Sequence, residues 1–212
     1  MSCLYKIKRP DTITNATPIL VTLHGMGSNY HDLTSIASND PADFVQINIQ
    51  GNIAFRSGFT YYVPDFSVRS EEEVITKTLS DIDRFLIDTL KKERLSAEQP
   101  LFFLGFSQGA ILSLSYSLLY PDKTAGAVVL NGRLPKFISE AEKKTHGQRK
   151  PSFFLAQGEF DPIFPLAVGR SLYTYLKEGN FETDYHEYRA GHEVTADEVI
   201  DIRRWLRTQF KP

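Results

Sequence analysis

The chain has 212 residues, 42% of them hydrophobic, and a formal net charge of −2 at pH 7. That supplies apolar material for a substantial core in a single expected domain, 1–212, and argues against disorder. The near-neutral charge gives no electrostatic basis for binding nucleic acid or an anionic membrane, and no apolar run reaches the roughly 18 residues that a membrane span requires.

The opening MSCLYKIKRP lacks the apolar stretch of a secretory signal. With Cys3 as the single cysteine, no internal disulfide is available, and a reducing, cytoplasmic setting is expected. Cys3 itself is read as an inert thiol rather than a lipid attachment point. CLYKIKRP is taken as an antiparallel edge strand. Buried strands are then expected at 18–25 (PILVTLHG), 44–51 (FVQINIQG), 100–106 (PLFFLGF), 125–132 (AGAVVLNG) and 152–158 (SFFLAQG). Most of these runs are continuously apolar, as in strands covered on both faces of a parallel sheet. A more alternating run at 182–188 (ETDYHEY) reads as an edge.

Helical patterns separate the strands. After Ser70, three glutamates precede Val74, Ile75, Leu79, Ile82, Phe85, Leu86 and Leu90 at helical spacing, with Lys91 and Lys92 at the far end. Ser70 supplies an N-cap, and the charges suit the two ends of the helix dipole. A second helical segment, DPIFPLAVGRSLYTYLKEGN, stops at Gly179-Asn180; a last one from about Ala196 places Val199, Ile202, Leu206 and Phe210 on one face. Strands alternating with helices give an α/β domain with helices on both faces of a mainly parallel sheet. The polar stretch 132–150 is read as a solvated connector, with a small lid as the alternative; its basic cluster HGQRK is too short for a nucleic-acid site.

Gly105-Phe106-Ser107-Gln108-Gly109 has the G-x-S-x-G pattern, with a strand before it and a helix after it. The turn forces the serine outward, and side chains at the two flanking positions would meet neighbouring backbone. A helix beginning at Gln108 aims free N–H groups at the same place. A serine hydroxyl needs a base, and the base needs an orienting carboxylate. In this arrangement they follow in the order Ser, Asp or Glu, His, from loops after later strands. EFDPIFP offers Glu159 and Asp161, and RAGHEVT offers His192. Asp161 is preferred because Pro162 fixes a turn beside it. Oxyanion donors are expected from the backbone N–H groups of Gln108 and, in the glycine-containing loop HGMGS, Met26. That loop lacks the Lys-Ser/Thr ending of a phosphate loop. His24 is read as a brace, since no second ligand stands at metal spacing, and neither metal nor organic cofactor is expected.

With LHGMGS, GFSQGA, EFDPIFP and GHEVT together, the chain resembles the phospholipase/carboxylesterase family of small α/β-hydrolases, from about residue 18 to 210. The resemblance implies an α/β-hydrolase fold with Ser107 as nucleophile, His192 as base, Asp161 as its orienter, and Met26 and Gln108 N–H as the oxyanion hole. The implied substrate is a small-molecule acyl ester or thioester. Two departures stand out: Ala110 replaces a second glycine after the elbow, and the region GNIAFRSGFTYYVPDFS carries Arg56, Tyr61 and Tyr62 but no tryptophan. An acyl pocket is expected from Phe59, Tyr61, Tyr62, Phe106, Ile163 and Phe164, aromatic and apolar groups near the nucleophile. The oligomeric state is left open, a homodimer included.

Overall fold

In a computed structural model, residues 4–38, 43–141 and 150–210 are described. Cys3 and residues 142–149 of the 132–150 stretch lie outside them. The order of elements is β1 (Tyr5–Lys8), β2 (Ile19–Leu23), β3 (Val45–Ile49), β4 (Ile53–Phe55), β5 (Gly58–Thr60), α1 (Glu71–Lys92), β6 (Leu101–Phe106) and α2 (Gln108–Leu119). A short 3-10 turn (Pro121–Lys123), β7 (Gly126–Leu130), α3 (Lys136–Ala141), β8 (Ser152–Gly158), α4 (Leu166–Glu178), β9 (Thr183–Tyr188) and α5 (Ala196–Gln209) complete it.

Seven strands form one sheet in the order β1-β3-β2-β6-β7-β8-β9. All neighbours are parallel except β1, which pairs antiparallel with β3, Tyr5 opposite Ile49. Both edges therefore fall where the sequence pattern puts them. The alternation of β9 reflects its position: it has one strand neighbour and is only partly buried.

The two faces of the sheet make separate cores. On one, Ile19, Val21, Leu23, Ile47 and Phe103 pack with Ile75, Leu79 and Ile82 of α1, Leu114 of α2 and Leu172 of α4. On the other, Leu20, Phe102, Leu104, Val128 and Phe154 meet Ile202, Trp205 and Leu206 of α5. Each such side chain stabilises the fold by about 1.5–3 kcal/mol through removal of apolar surface from water. α1 begins with the expected cap: Ser70 accepts from the Glu73 N–H, and the Glu73 carboxylate accepts from the Ser70 N–H.

β3 is buried along its length, as expected, although it carries Gln46 and Asn48, which are linked, Gln46 Nε2 donating to Asn48 Oδ1 at 2.8 Å while Thr22 Oγ1 donates to the same atom at 2.7 Å. Mutual hydrogen bonding is what lets such groups lie inside a sheet. Two expectations require correction. In α5 the buried positions are Glu198, Ile202, Trp205 and Leu206, with Val199 only half-buried. The connector after β7 is no solvated loop at its start: α3 places Ile138 in the core at 1% exposure.

The hairpin of β4 and β5 went unread, being two strands of three residues each. It packs over the loop after β2, with the Gly27 N–H donating to Phe59 O at 2.8 Å and the Phe59 N–H to Ser28 O at 2.7 Å. No described helix is long and apolar enough to cross a membrane.

Candidate active site

The turn from β6 to α2 holds Ser107 at φ 54°, ψ −113°. That backbone region costs a non-glycine residue on the order of 1–3 kcal/mol and persists where surrounding packing enforces it. Here the packing is tight. A Cβ on Gly105 would lie 2.2 Å from Gly109 O, and one on Gly109 would lie 1.8 Å from Leu23 O. The glycines thus let the start of α2 press onto the end of β2. The Ser107 N–H donates to Leu130 O at 3.0 Å, so β7 also fixes the turn.

His192 and Asp161 converge on the serine from the loops after β9 and β8. His192 Nε2 lies 2.8 Å from Ser107 Oγ, and His192 Nδ1 lies 2.7 Å from Asp161 Oδ2. The Asp161 side chain is fully buried, and that of His192 is 20% exposed. Asp161 Oδ1 accepts from the N–H groups of Ile163 at 2.7 Å and Phe164 at 2.9 Å. The carboxylate is therefore oriented by its own turn, which leaves Oδ2 for the imidazole. A proton on Nδ1 then leaves Nε2 as the acceptor facing the hydroxyl. Glu159, the alternative acid, is half-buried and meets the end of β9 through its backbone N–H on Tyr188 O; His192 pairs with Asp161.

Two aromatic rings flank the imidazole, Phe106 with its centroid 4.9 Å away and Phe164 at 5.8 Å. Ile163 is exposed in the same loop, and so is Phe160, which sequence reasoning did not single out. The Phe59 backbone carries the hairpin onto the 25–28 loop, as described above. Tyr61 is placed elsewhere: its hydroxyl donates to Ile49 O at 2.7 Å and accepts from the His24 N–H at 3.1 Å, inside the core. Tyr61 and Tyr62 are both buried and contribute to a cavity of about 570 Å³ beside α1, whose lining also includes Val63, Arg69 and Lys77 but neither Ser107 nor His192. Burial pushes the Tyr62 hydroxyl up to about 12.

The loop after β2 reaches the serine closely, since a Cβ on Gly25 would lie 3.6 Å from Ser107 Cβ. Met26 follows, with its side chain exposed. His24 braces this loop: buried at 1% exposure, its Nε2 accepts from the Gly51 N–H at 3.0 Å and its Nδ1 pairs with Gly25 O at 2.7 Å. Burial lowers its affinity for a second proton. Gln108 opens α2, where backbone N–H groups have no partner within the helix. Its side chain is spent on the segment 60–62. Gln108 Oε1 accepts from Thr60 Oγ1 at 2.8 Å and the Tyr61 N–H at 2.9 Å, and Nε2 donates to Tyr62 O at 2.8 Å.

Further buried polar residues around the site escaped the sequence reading. Gln157 Nε2 donates to Phe164 O at 2.5 Å, behind the acid turn. Asn131, at the end of β7, and Glu198, in the first turn of α5, are also buried. Asn131 carries no local sequence signal, because its partners Gly158, Gly191 and Glu193 lie far along the chain; Glu198 does carry one, the capping box it forms with Thr195.

The profile of the phospholipase/carboxylesterase family matches residues 7–210. The chain belongs to that family. Acyl-protein thioesterase 1 of Kluyveromyces lactis is 26% identical over 218 residues, covering 92% of this chain and 93% of that one. The putative hydrolase MhqD of Bacillus subtilis is 22% identical over 196 residues, covering 89% and 92% respectively. Among solved structures, the Bacillus cereus carboxylesterase superimposes with a TM-score of 0.81 at 22% identity, covering 98% of this chain and 94% of that one. The sheet and helices are those of an α/β-hydrolase fold.

Proposed function

We propose that this protein is a serine carboxylesterase in which Ser107, His192 and Asp161 form the catalytic triad of one domain, 1–212. The observation that carries this reading is the unbroken path from Ser107 Oγ through both ring nitrogens of His192 to the buried Asp161 carboxylate. Family membership supports the reaction class.

In the proposed reaction, Ser107 Oγ attacks the carbonyl carbon of an ester while its proton passes to His192 Nε2. The resulting oxyanion is held by the N–H groups of Met26 and Gln108; each such donor contributes on the order of 3 kcal/mol to the transition state. Asp161 stabilises the imidazolium and keeps its ring oriented. Collapse of the tetrahedral intermediate breaks the bond to the leaving oxygen, which takes the proton from His192. Water, deprotonated by His192, then attacks the acyl-enzyme, and the acid and free Ser107 are released. The scheme calls for no metal or organic cofactor. Phe59, Phe106, Ile163 and Phe164 are the proposed acyl contacts, while Tyr61 and Tyr62 are buried and line the cavity beside α1. We place the protein in the cytoplasm on the strength of its single cysteine.

A second reading keeps the machinery and changes the bond to a long-chain thioester or lysophospholipid. The similarity to a yeast acyl-protein thioesterase favours it. A third, a non-catalytic binding protein, leaves the strained Ser107 backbone without a purpose. Hydrolysis of p-nitrophenyl esters from acetate to palmitate, with Ser107→Ala alongside, tests the set. Turnover that is lost in Ser107→Ala supports the esterase reading, and a sharp optimum at long chains favours the second. No turnover by folded wild type and no labelling by a fluorophosphonate would overturn both.

A further inference from the structure

β7 does not simply end at Leu130. The next residue, Asn131, is 1% exposed and sits at φ 48°. Its N–H donates to Ala156 O at 2.9 Å, carrying the alignment with β8 one step further. Its side chain then reaches both of the loops that bear His192 and Asp161. Asn131 Oδ1 accepts from the Gly158 N–H at 2.9 Å, at the last residue of β8 before the acid turn. Asn131 Nδ2 donates to Glu193 O at 3.1 Å and lies 3.5 Å from Gly191 O. Those two carbonyls stand on either side of His192.

We propose that Asn131 is a positioning residue, a single buried amide that fixes the His192 loop and the Asp161 loop relative to each other; this rests on the triad proposed above. The residue type fits the task. The left-handed backbone at this position suits asparagine among non-glycine residues, and its short side-chain amide offers an acceptor to Gly158 and a donor to Glu193 on two separate atoms. Aspartate would turn a carboxylate oxygen towards two carbonyls, and glycine would keep the backbone but supply neither group. Asn131 touches no reacting atom; it acts through the ring it helps to place. The imidazole must meet Ser107 and Asp161 at once, and misplacement by about 1 Å costs on the order of 10²-fold in rate.

The test compares wild type with Asn131→Gly and Asn131→Asp, using circular dichroism to establish folding. One readout is the low-field proton resonance of His192 Nδ1–H in cold neutral buffer, assigned by its loss in Asp161→Asn. The other is p-nitrophenyl ester hydrolysis. The expected result is a resonance present in wild type and broadened away in both Asn131 variants, with kcat lowered about 10²-fold and KM within about twofold. A resonance missing from wild type or unchanged in the variants overturns the proposal. So does a retained kcat, or a loss carried by KM. Failure of both variants to fold also overturns it, by assigning Asn131 to the fold alone. If folded wild type hydrolyses no ester, the esterase reading falls separately, and the resonance alone decides the role of Asn131.

Discussion

Gln108 grips the backbone of Tyr62: its side-chain nitrogen donates to the Tyr62 carbonyl at 2.8 Å while its oxygen receives the N–H of Tyr61 at 2.9 Å. One residue thereby offers a backbone N–H beside Ser107 and anchors the segment next to it. Gln108→Ala leaves buried partners unpaired, each costing about 1–3 kcal/mol. Denaturant unfolding should show a loss of about 2–4 kcal/mol in total; a loss within about 0.5 kcal/mol would mean that residues 60–62 are held by other contacts.

Gly109→Ala tests the elbow. The added methyl has no room against Leu23 O, 1.8 Å from the built Cβ, so α2 and β2 must separate. A destabilisation of about 3 kcal/mol or more is expected, together with loss of fluorophosphonate labelling at Ser107. Normal labelling in a fully stable variant would contradict the geometry described here.

Asp161→Asn keeps an oxygen for the Ile163 and Phe164 N–H groups but turns an amide nitrogen towards His192. The imidazole then favours the tautomer with its proton on Nε2, which no longer accepts from Ser107. Ester hydrolysis should fall by about 10⁴-fold in kcat, with the thermal midpoint little changed. A fall of less than about tenfold would remove Asp161 from the proposed triad.

Glu198 gives a pH signature of stability. Its Oε2 caps the Thr195 N–H, its Oε1 lacks a hydrogen-bond partner, and burial raises the carboxyl to about 7. The folded state therefore holds a proton that the unfolded chain releases near the ordinary value of 4.5. The contribution is fully present below that ordinary value and is lost as pH rises to about 7. Relative to Glu198→Gln, wild type should lose on the order of 1–3 kcal/mol across this window. Parallel pH profiles of the two unfolding free energies would show that Glu198 is not buried as described.

His24 acts in the opposite sense. Burial lowers its protonation, so the folded state binds fewer protons than the unfolded chain below the ordinary value of 6.5. Its contribution is complete above that value and is lost as pH falls. His24→Gln should flatten the acid side of the stability profile while costing about 1–3 kcal/mol at pH 8 through an imperfect match to Gly51. An unaltered acid limb would count against a buried, neutral His24.

What the sequence disclosed, and what it hid, has a physical division. The elbow was legible because backbone crowding at Gly105 and Gly109 restricts residue type locally, and β6 and α2 read clearly on either side. His192 and Asp161 were legible from chain order and strand ends. Glu198 stands in a readable capping box with Thr195, though its burial does not show there; Asn131 was not legible, since its partners Gly158, Gly191 and Glu193 lie far along the chain. The same applies to Tyr61, which looked like a pocket aromatic but spends its hydroxyl between β2 and β3. The β4–β5 hairpin was too short for two-residue periodicity to register.

Ser107 and His192 are separated by 85 positions in sequence, yet their side chains meet. Closing so large a loop has an entropic cost that is repaid only when β6, β7, β8 and β9 lie side by side. The proposed nucleophile and its base thus meet only after most of the sheet has assembled. A fluorophosphonate pulse during refolding would therefore date the completion of the topology: labelling should lag the recovery of helical signal from α1, whose 22 residues form from contacts close in sequence.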